Sequence, residues 1–310
     1  MGTLQLATIA KLPAVGSNFT KTRKTKMLGH EILLQNLFPL RHFLTKNSIN
    51  ERNIEWLKKY LESITLLTSL TYKQKIETFR RVTINSNILG DNTRISEIKY
   101  LKYPPKEFVK KYGRANNIGE SVLYATFDPI TALSEMRPKL GDLITISTWK
   151  LKTNYDLTVT PIFKNSTKSG EVHNEISLRA GIEYNKLLRQ YDDEQLRKQL
   201  DIIIQFVADC FNKEVEDGNH FDYFLSSHYA KRLFWELQNG EIDAILYPSV
   251  RQSLTLTNIA IKPTIFDKNY GLEQVEESII TQIPSRTSSG WLMNGTGYSK
   301  TFDEKQIMWK

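Results

Sequence analysis

The sequence predicts an α+β fold with a helical segment at its N-terminal end. Three observations predict it. Short runs rich in β-branched and aromatic residues, such as 143–151 and 244–247, have the composition of strands. Longer runs, such as 183–211, repeat apolar residues at helical spacing. The two kinds of run do not alternate strictly, which argues against a doubly wound parallel sheet.

In chain order, residues 1–27 are basic and lack apolar periodicity, and read as a flexible arm. From 28 to about 70, apolar residues recur as in helices (Ile32, Leu33, Leu37; Ile54, Leu57, Leu61, Ile64), with punctuation expected near Pro39 and Asn47 to Asn50. A strand is expected over 75–84, then a turn cluster at 85–92 and a basic, aromatic surface excursion to Tyr112 broken by Pro104 and Pro105. The stretch from Gly113 to Pro138 packs three elements into one unit. A turn-rich loop carrying Arg114 leads into a strand from Ser121 to Phe127. Asp128 and Pro129 then open a helix, as N-cap and first helical residue, and Pro138 closes it. Further strands are expected at 143–151 and 157–163, a loop at 165–170, helices at 183–211 and 223–238 (the latter closed by Asn239 and Gly240), and short core strands at 244–247 and 259–261. The tail from Thr287 reads as a loose hairpin ending at Trp309. The expected organisation is an arm (1–27), a helical segment (28–74) and a mixed α+β domain (75–310).

A chain of 310 residues with 40% hydrophobic and 25% charged residues can bury a substantial core. Its formal charge of +8 is uneven. Residues 1–112 hold 20 Lys/Arg against 8 Asp/Glu, whereas 113–310 hold 22 against 26. The asymmetry fits either an acidic partner for the first third or a merely solvated surface. The single cysteine, Cys210, excludes a disulfide framework or a Cys-rich metal site, and lies in an apolar helical pattern that suits a buried, inert thiol. Neither a secretory signal nor an apolar run near the ~20 residues of a membrane span is evident, so a cytoplasmic chain with no membrane partner is expected. Dinucleotide fingerprints and phosphate loops are absent. His173 and Glu175 have the spacing of a zinc deaminase without its cysteines, and the five histidines are scattered, so no metal is expected. The loop at Arg114 has no aromatic platform beside it, which disfavours nucleic acid.

The ordered pattern Arg114-x-Asn116-x-x-Gly119, then Val122-Leu123-Tyr124, then Thr131-Ala132-Leu133-x-Glu135, followed by Ile242 to Arg251 and Asn258 to Ile261, resembles a RES domain. The pair Arg81-Val82 resembles the start of that domain, and the resemblance covers roughly 77–265. It implies an ADP-ribosyltransferase-like fold, a mixed β-sheet core with surrounding helices. It also implies a toxin of toxin–antitoxin type that degrades NAD⁺ as its substrate by hydrolysis or phosphorolysis and is restrained by an antitoxin or inhibitor protein. Transfer of ADP-ribose to a protein or nucleic acid is the neighbouring activity. A non-catalytic module docking nucleic acid or an acidic partner is the alternative from another class.

Within that resemblance each residue type suits a task. Glu135 would grip the ribose hydroxyls and face the developing oxocarbenium charge; the competing reading is a surface glutamate on a short helix. Arg114, and after it Arg81, would hold the diphosphate through a permanent charge and a bidentate fork, though Arg80 and Arg81 could equally flank a strand. Tyr124 would stack on nicotinamide or bond the ribose, unless it is a core residue. Ser249, at an expected strand end, would bind the ribose or amide, although a Pro-Ser pair alone is only a turn. Arg251 and Asn258 complete the set more weakly.

Overall fold

The computed structural model describes residues 3–4, 29–45, 48–63, 70–164, 175–189, 192–236, 240–285 and 290–310. The rest of the arm, the loop at 165–170, His173, Asn239 and Thr287 lie outside the described residues. The fold is α+β. In chain order its first half contains β1 (Thr3–Leu4), α1 (Gly29–Thr45), α2 (Glu51–Ser63), β2 (Leu70–Gln74), β3 (Thr78–Ile84), α3 (Asn85–Leu89), β4 (Leu123–Thr126), α4 (Pro129–Met136), β5 (Leu143–Leu151) and β6 (Leu157–Pro161). There follow α5 (Glu175–Leu188), α6 (Glu194–Asn212), α7 (Phe224–Trp235), β7 (Ala244–Pro248), β8 (Thr257–Ile261), α8 (Pro263–Asn269), β9 (Tyr270–Gln282), β10 (Leu292–Ser299), β11 (Phe302–Asp303) and β12 (Gln306–Ile307).

The chain divides into two compact units. The first comprises Met1–Tyr72, Lys111–Asn117 and Thr160–Ile242, and the second Lys73–Lys110, Ile118–Val159 and Asp243–Lys310. The expected domain over 75–310 is thus shared between both units, because α5 to α7 belong with the N-terminal helices.

The first unit is organised by burial of helix faces. Leu33, Leu37 and Leu40 of α1, with Leu57 and Leu61 of α2, pack on Phe206 and Cys210 of α6 and on Phe224 and Leu225 of α7. That burial carries α1 straight through Pro39, which was expected to punctuate it. Proline removes one helical hydrogen bond, and the apolar face outweighs the loss. The expected helix over 183–211 is instead two helices. Asp193 accepts from the Gln195 and Leu196 amides at 2.8 and 3.2 Å and starts α6 afresh. Cys210 is buried, which pushes its thiol pKa up, as suits an inert packing residue. Lys213 and Asp222 form a buried ion pair at 2.8 Å. Their remaining valences are met by the Phe43 carbonyl (2.7 Å), the Ile49 amide (3.2 Å) and Asn219 (2.6 Å).

His228 of α7 is largely enclosed, and its Nε2 has no hydrogen-bond partner among the described residues. Burial, with Arg232 next, lowers its pKa to about 4. The folded state therefore favours the neutral ring, while the unfolded chain takes up a proton as pH falls below about 6.5. Stability from this group is present above that pH and is lost between about 6.5 and 4. His228→Leu should flatten the decline between pH 7 and 5 by about 1–2 kcal/mol, read from urea midpoints at the two pH values. Equal declines in both proteins would exclude His228 as its source.

The second unit is a sheet in the order β7-β8-β4-β3-β5-β9-β10, with antiparallel neighbours. One face carries Val82, Ile84, Ile144, Ile146 and Ile280, covered by Ala132 and Leu133 of α4. The opposite face carries Phe79 and Trp149, which pack with Phe266 of α8 and with Tyr270. Pairing between β3 and β4 is reduced to one residue pair, Arg80 with Thr126, whereas β3 pairs with β5 over seven.

Strand β9 was not anticipated, because its glutamates mask the alternation. Glu277 is only 2% exposed, and Arg94, Thr296 and Asn85 neutralise and bond it. Arg94 also lies over the Trp309 ring, and the C-terminal residues pair back on 95–98. The tail is therefore strand β10 against β9, followed by the small β11–β12 hairpin, in place of one loose hairpin. A Cβ at Gly297 would lie 2.8 Å from Arg94 Nη2 and 3.0 Å from Trp309. Gly297→Ala should therefore destabilise the protein by about 1–3 kcal/mol, measured by urea unfolding. An unchanged midpoint would show that this packing yields freely.

Candidate functional site

Helix α4 is fixed at both ends. The Asp128 carboxylate accepts from the Thr131 amide at 2.9 Å, Pro129 occupies the first turn, and Arg137 ends the helix in the left-handed region at φ 50°. Its last turn carries Ser134 and Glu135. Strand β7 is buried throughout and delivers Ser249 to its end, where the residue is fully buried. Strand β8 pairs Asn258 with both Thr126 and Tyr247.

These three elements converge on one carboxylate oxygen. Ser249 Oγ donates to Glu135 Oε1 at 2.6 Å, and Asn258 Nδ2 donates to the same atom at 2.8 Å. Both hydrogen bonds to Glu135 among the described residues fall on Oε1, and the buried Asn258 Oδ1 has no partner among them. Glu135 itself is partly exposed. The result is a carboxylate fixed in orientation from one side, through Oε1. Backbone strain gathers here too. Of the four non-glycine residues with positive φ among the described residues, Arg137, Ser253 and Leu254 flank the Glu135–Ser249 contact.

Tyr124 is partly exposed on β4, and strand alternation puts it on the face shared with Thr126 and Asn258. Arg81 leaves β3 on the opposite side, and its Nη1 donates to the Tyr124 carbonyl at 2.9 Å, where β3 and β4 part. Its Nε is buried without a partner, and no carboxylate pairs with it among the described residues. Burial lowers the Arg81 pKa to about 10 against the opposing influence of Tyr124, so it remains a cation at neutral pH.

Arg114 is placed differently from the expectation. It belongs to the first unit, where Nη1 donates to the Phe211 carbonyl and, at 3.1 Å, to the Lys213 carbonyl, and the guanidinium lies over Tyr223. It closes the C-terminal end of α6, where a cation is favoured, and does not present an open fork. Ser249 is fully buried, and its hydroxyl is bonded to Glu135.

Two residues of this region were not assigned a role from sequence. Arg80 falls in one cross-strand row with Thr126 and Asn258, on the Glu135 face, and its Nη1 donates to the Phe127 carbonyl at 3.3 Å. Alternation from Val82 and Ile84 held that signal. Gln252 donates from Nε2 to Ser134 Oγ at 2.6 Å, which only the fold reveals. Among the described residues, no three His, Cys, Asp or Glu side chains gather as a metal site, and no helix is long and apolar enough to cross a membrane. Neither a comparison with protein-family models nor a search of curated proteins finds a match to this chain.

Proposed function

We propose that the second unit carries a site that cleaves the nicotinamide–ribose bond of NAD⁺. The observation that supports this reading most is the Glu135 carboxylate, held through one oxygen by Ser249 and Asn258, with no bond to the other among the described residues. In the reaction the C1′–N bond breaks, and its electron pair passes to the nicotinamide ring nitrogen, which loses its positive charge. The leaving group is then neutral and needs no acid. The requirement is a fixed negative charge beside the ribose, and Glu135 Oε2 would accept from a ribose hydroxyl while facing the cationic sugar. A water or phosphate oxygen forms the new bond to C1′, and for water the proton goes to solvent. Tyr124, on the same face as Asn258, would stack on the nicotinamide.

The RES-like motif order supports the same assignment, and with it a cytoplasmic toxin restrained by an antitoxin-like protein. Incubating the purified chain with NAD⁺, with and without protein or nucleic-acid acceptors, and identifying the products by mass tests it. Free ADP-ribose or its 1″-phosphate without an acceptor is the expected outcome. An adduct formed only with an acceptor would make the protein an ADP-ribosyltransferase. No turnover in either case would leave a binding module.

A further inference from the structure

The turn from Ser249 to Leu256 is held in an unfavourable shape. Ser253 and Leu254 are consecutive left-handed residues, at φ 49° and 64°, and neither is glycine. Such a pair persists only where surrounding bonds over-determine it. Within the turn, the Ser249 carbonyl accepts from the Gln252 and Leu254 amides at 3.2 and 2.9 Å, and the Ser249 amide donates to the Leu256 carbonyl at 2.7 Å. The Gln252 carbonyl accepts from the amide and hydroxyl of Thr255 at 2.9 and 2.7 Å. Two side-chain rungs run from this turn to α4: Ser249 to Glu135, and Gln252 to Ser134, both at 2.6 Å. The rungs start three residues apart on the turn and end on adjacent residues of the helix. A rotation of the turn that loosened one would therefore displace the other.

We propose that Gln252 is a positioning residue: its amide clamps the strained turn to Ser134 and so keeps the Ser249 hydroxyl on Glu135. The bond itself does not depend on the substrate. Its consequence for turnover rests on the NAD⁺-cleaving reading above.

The test is a double-mutant cycle of Gln252→Ala, Ser134→Ala and the pair, with Gln252→Glu as the conservative variant. In Gln252→Glu the Ser134 hydroxyl can donate to the new carboxylate, restoring the rung with its polarity reversed. Each alanine variant should lower kcat for NAD⁺ about fivefold to tenfold with KM nearly unchanged, the pair no more than either alone, and Gln252→Glu should recover most of it. Amide hydrogen exchange, measured without substrate, supplies the second readout. The Leu254 and Thr255 amides should exchange several-fold faster in Gln252→Ala and at the wild-type rate in Gln252→Glu. Unchanged exchange in Gln252→Ala, or losses in kcat that simply multiply in the pair, would overturn the proposal. Faster exchange in a protein that never consumes NAD⁺ would uphold the clamp and reject only the assigned reaction.

Discussion

Glu135→Gln is expected to lower NAD⁺ turnover by roughly two to three orders of magnitude, the scale for losing one preorganised electrostatic contact. Glutamine has nearly the same shape, and its side-chain oxygen can still accept from Ser249 Oγ and Asn258 Nδ2, which now meet Oε1 at 2.6 and 2.8 Å. Helix α4 keeps its Asp128 cap and its packing through Ala132 and Leu133, so folding should survive. What disappears is the negative charge opposite the cationic ribose. NAD⁺ affinity should change much less than kcat, because the substrate ribose is not yet an oxocarbenium ion. Steady-state kinetics on a variant with an unaltered thermal midpoint is the appropriate check, and near-wild-type kcat would remove Glu135 from its role.

Ser249→Ala should have the next largest effect. Its hydroxyl donates to a charged oxygen, and such bonds contribute about 1.5–3 kcal/mol. If the whole amount is realised in the transition state, kcat falls by about 10- to 150-fold. KM should hardly move, because Ser249 is fully buried with its hydroxyl bonded to Glu135. A raised KM with unchanged kcat would instead make Ser249 a direct ligand. Asn258 continues to hold Oε1 in this variant, so the loss should be smaller than for Glu135→Gln.

Much of the site's surroundings was legible in the sequence, because local chemistry sets them. Asp128, Pro129 and Pro138 announced α4, and the apolar runs announced β5, β7 and β8. The convergence of Glu135, Ser249 and Asn258 was legible only as a motif order; their shared oxygen depends on the β4–β8 and β7–β8 registers, which no local pattern contains. Arg114 shows the opposite case. A loop arginine between glycines reads as an open cation, yet the carbonyls ending α6, almost a hundred residues away, occupy it. Strand β9 was hidden because Glu277 reads as exposed until Arg94 and Thr296 are seen to enclose it. Arg80 and Arg81 differ in the same way. Adjacent in sequence, they leave the strand on opposite faces, and only Arg80 shares the face of Asn258.

The most direct test of the central claim is nicotinamide release from NAD⁺ by the purified chain with no acceptor present, followed by chromatography alongside Glu135→Gln. The proposed site predicts stoichiometric conversion of NAD⁺ to free nicotinamide by the wild-type protein and almost none by the variant. Intact NAD⁺ after prolonged incubation with folded wild-type protein, or equal release by both proteins, would contradict it.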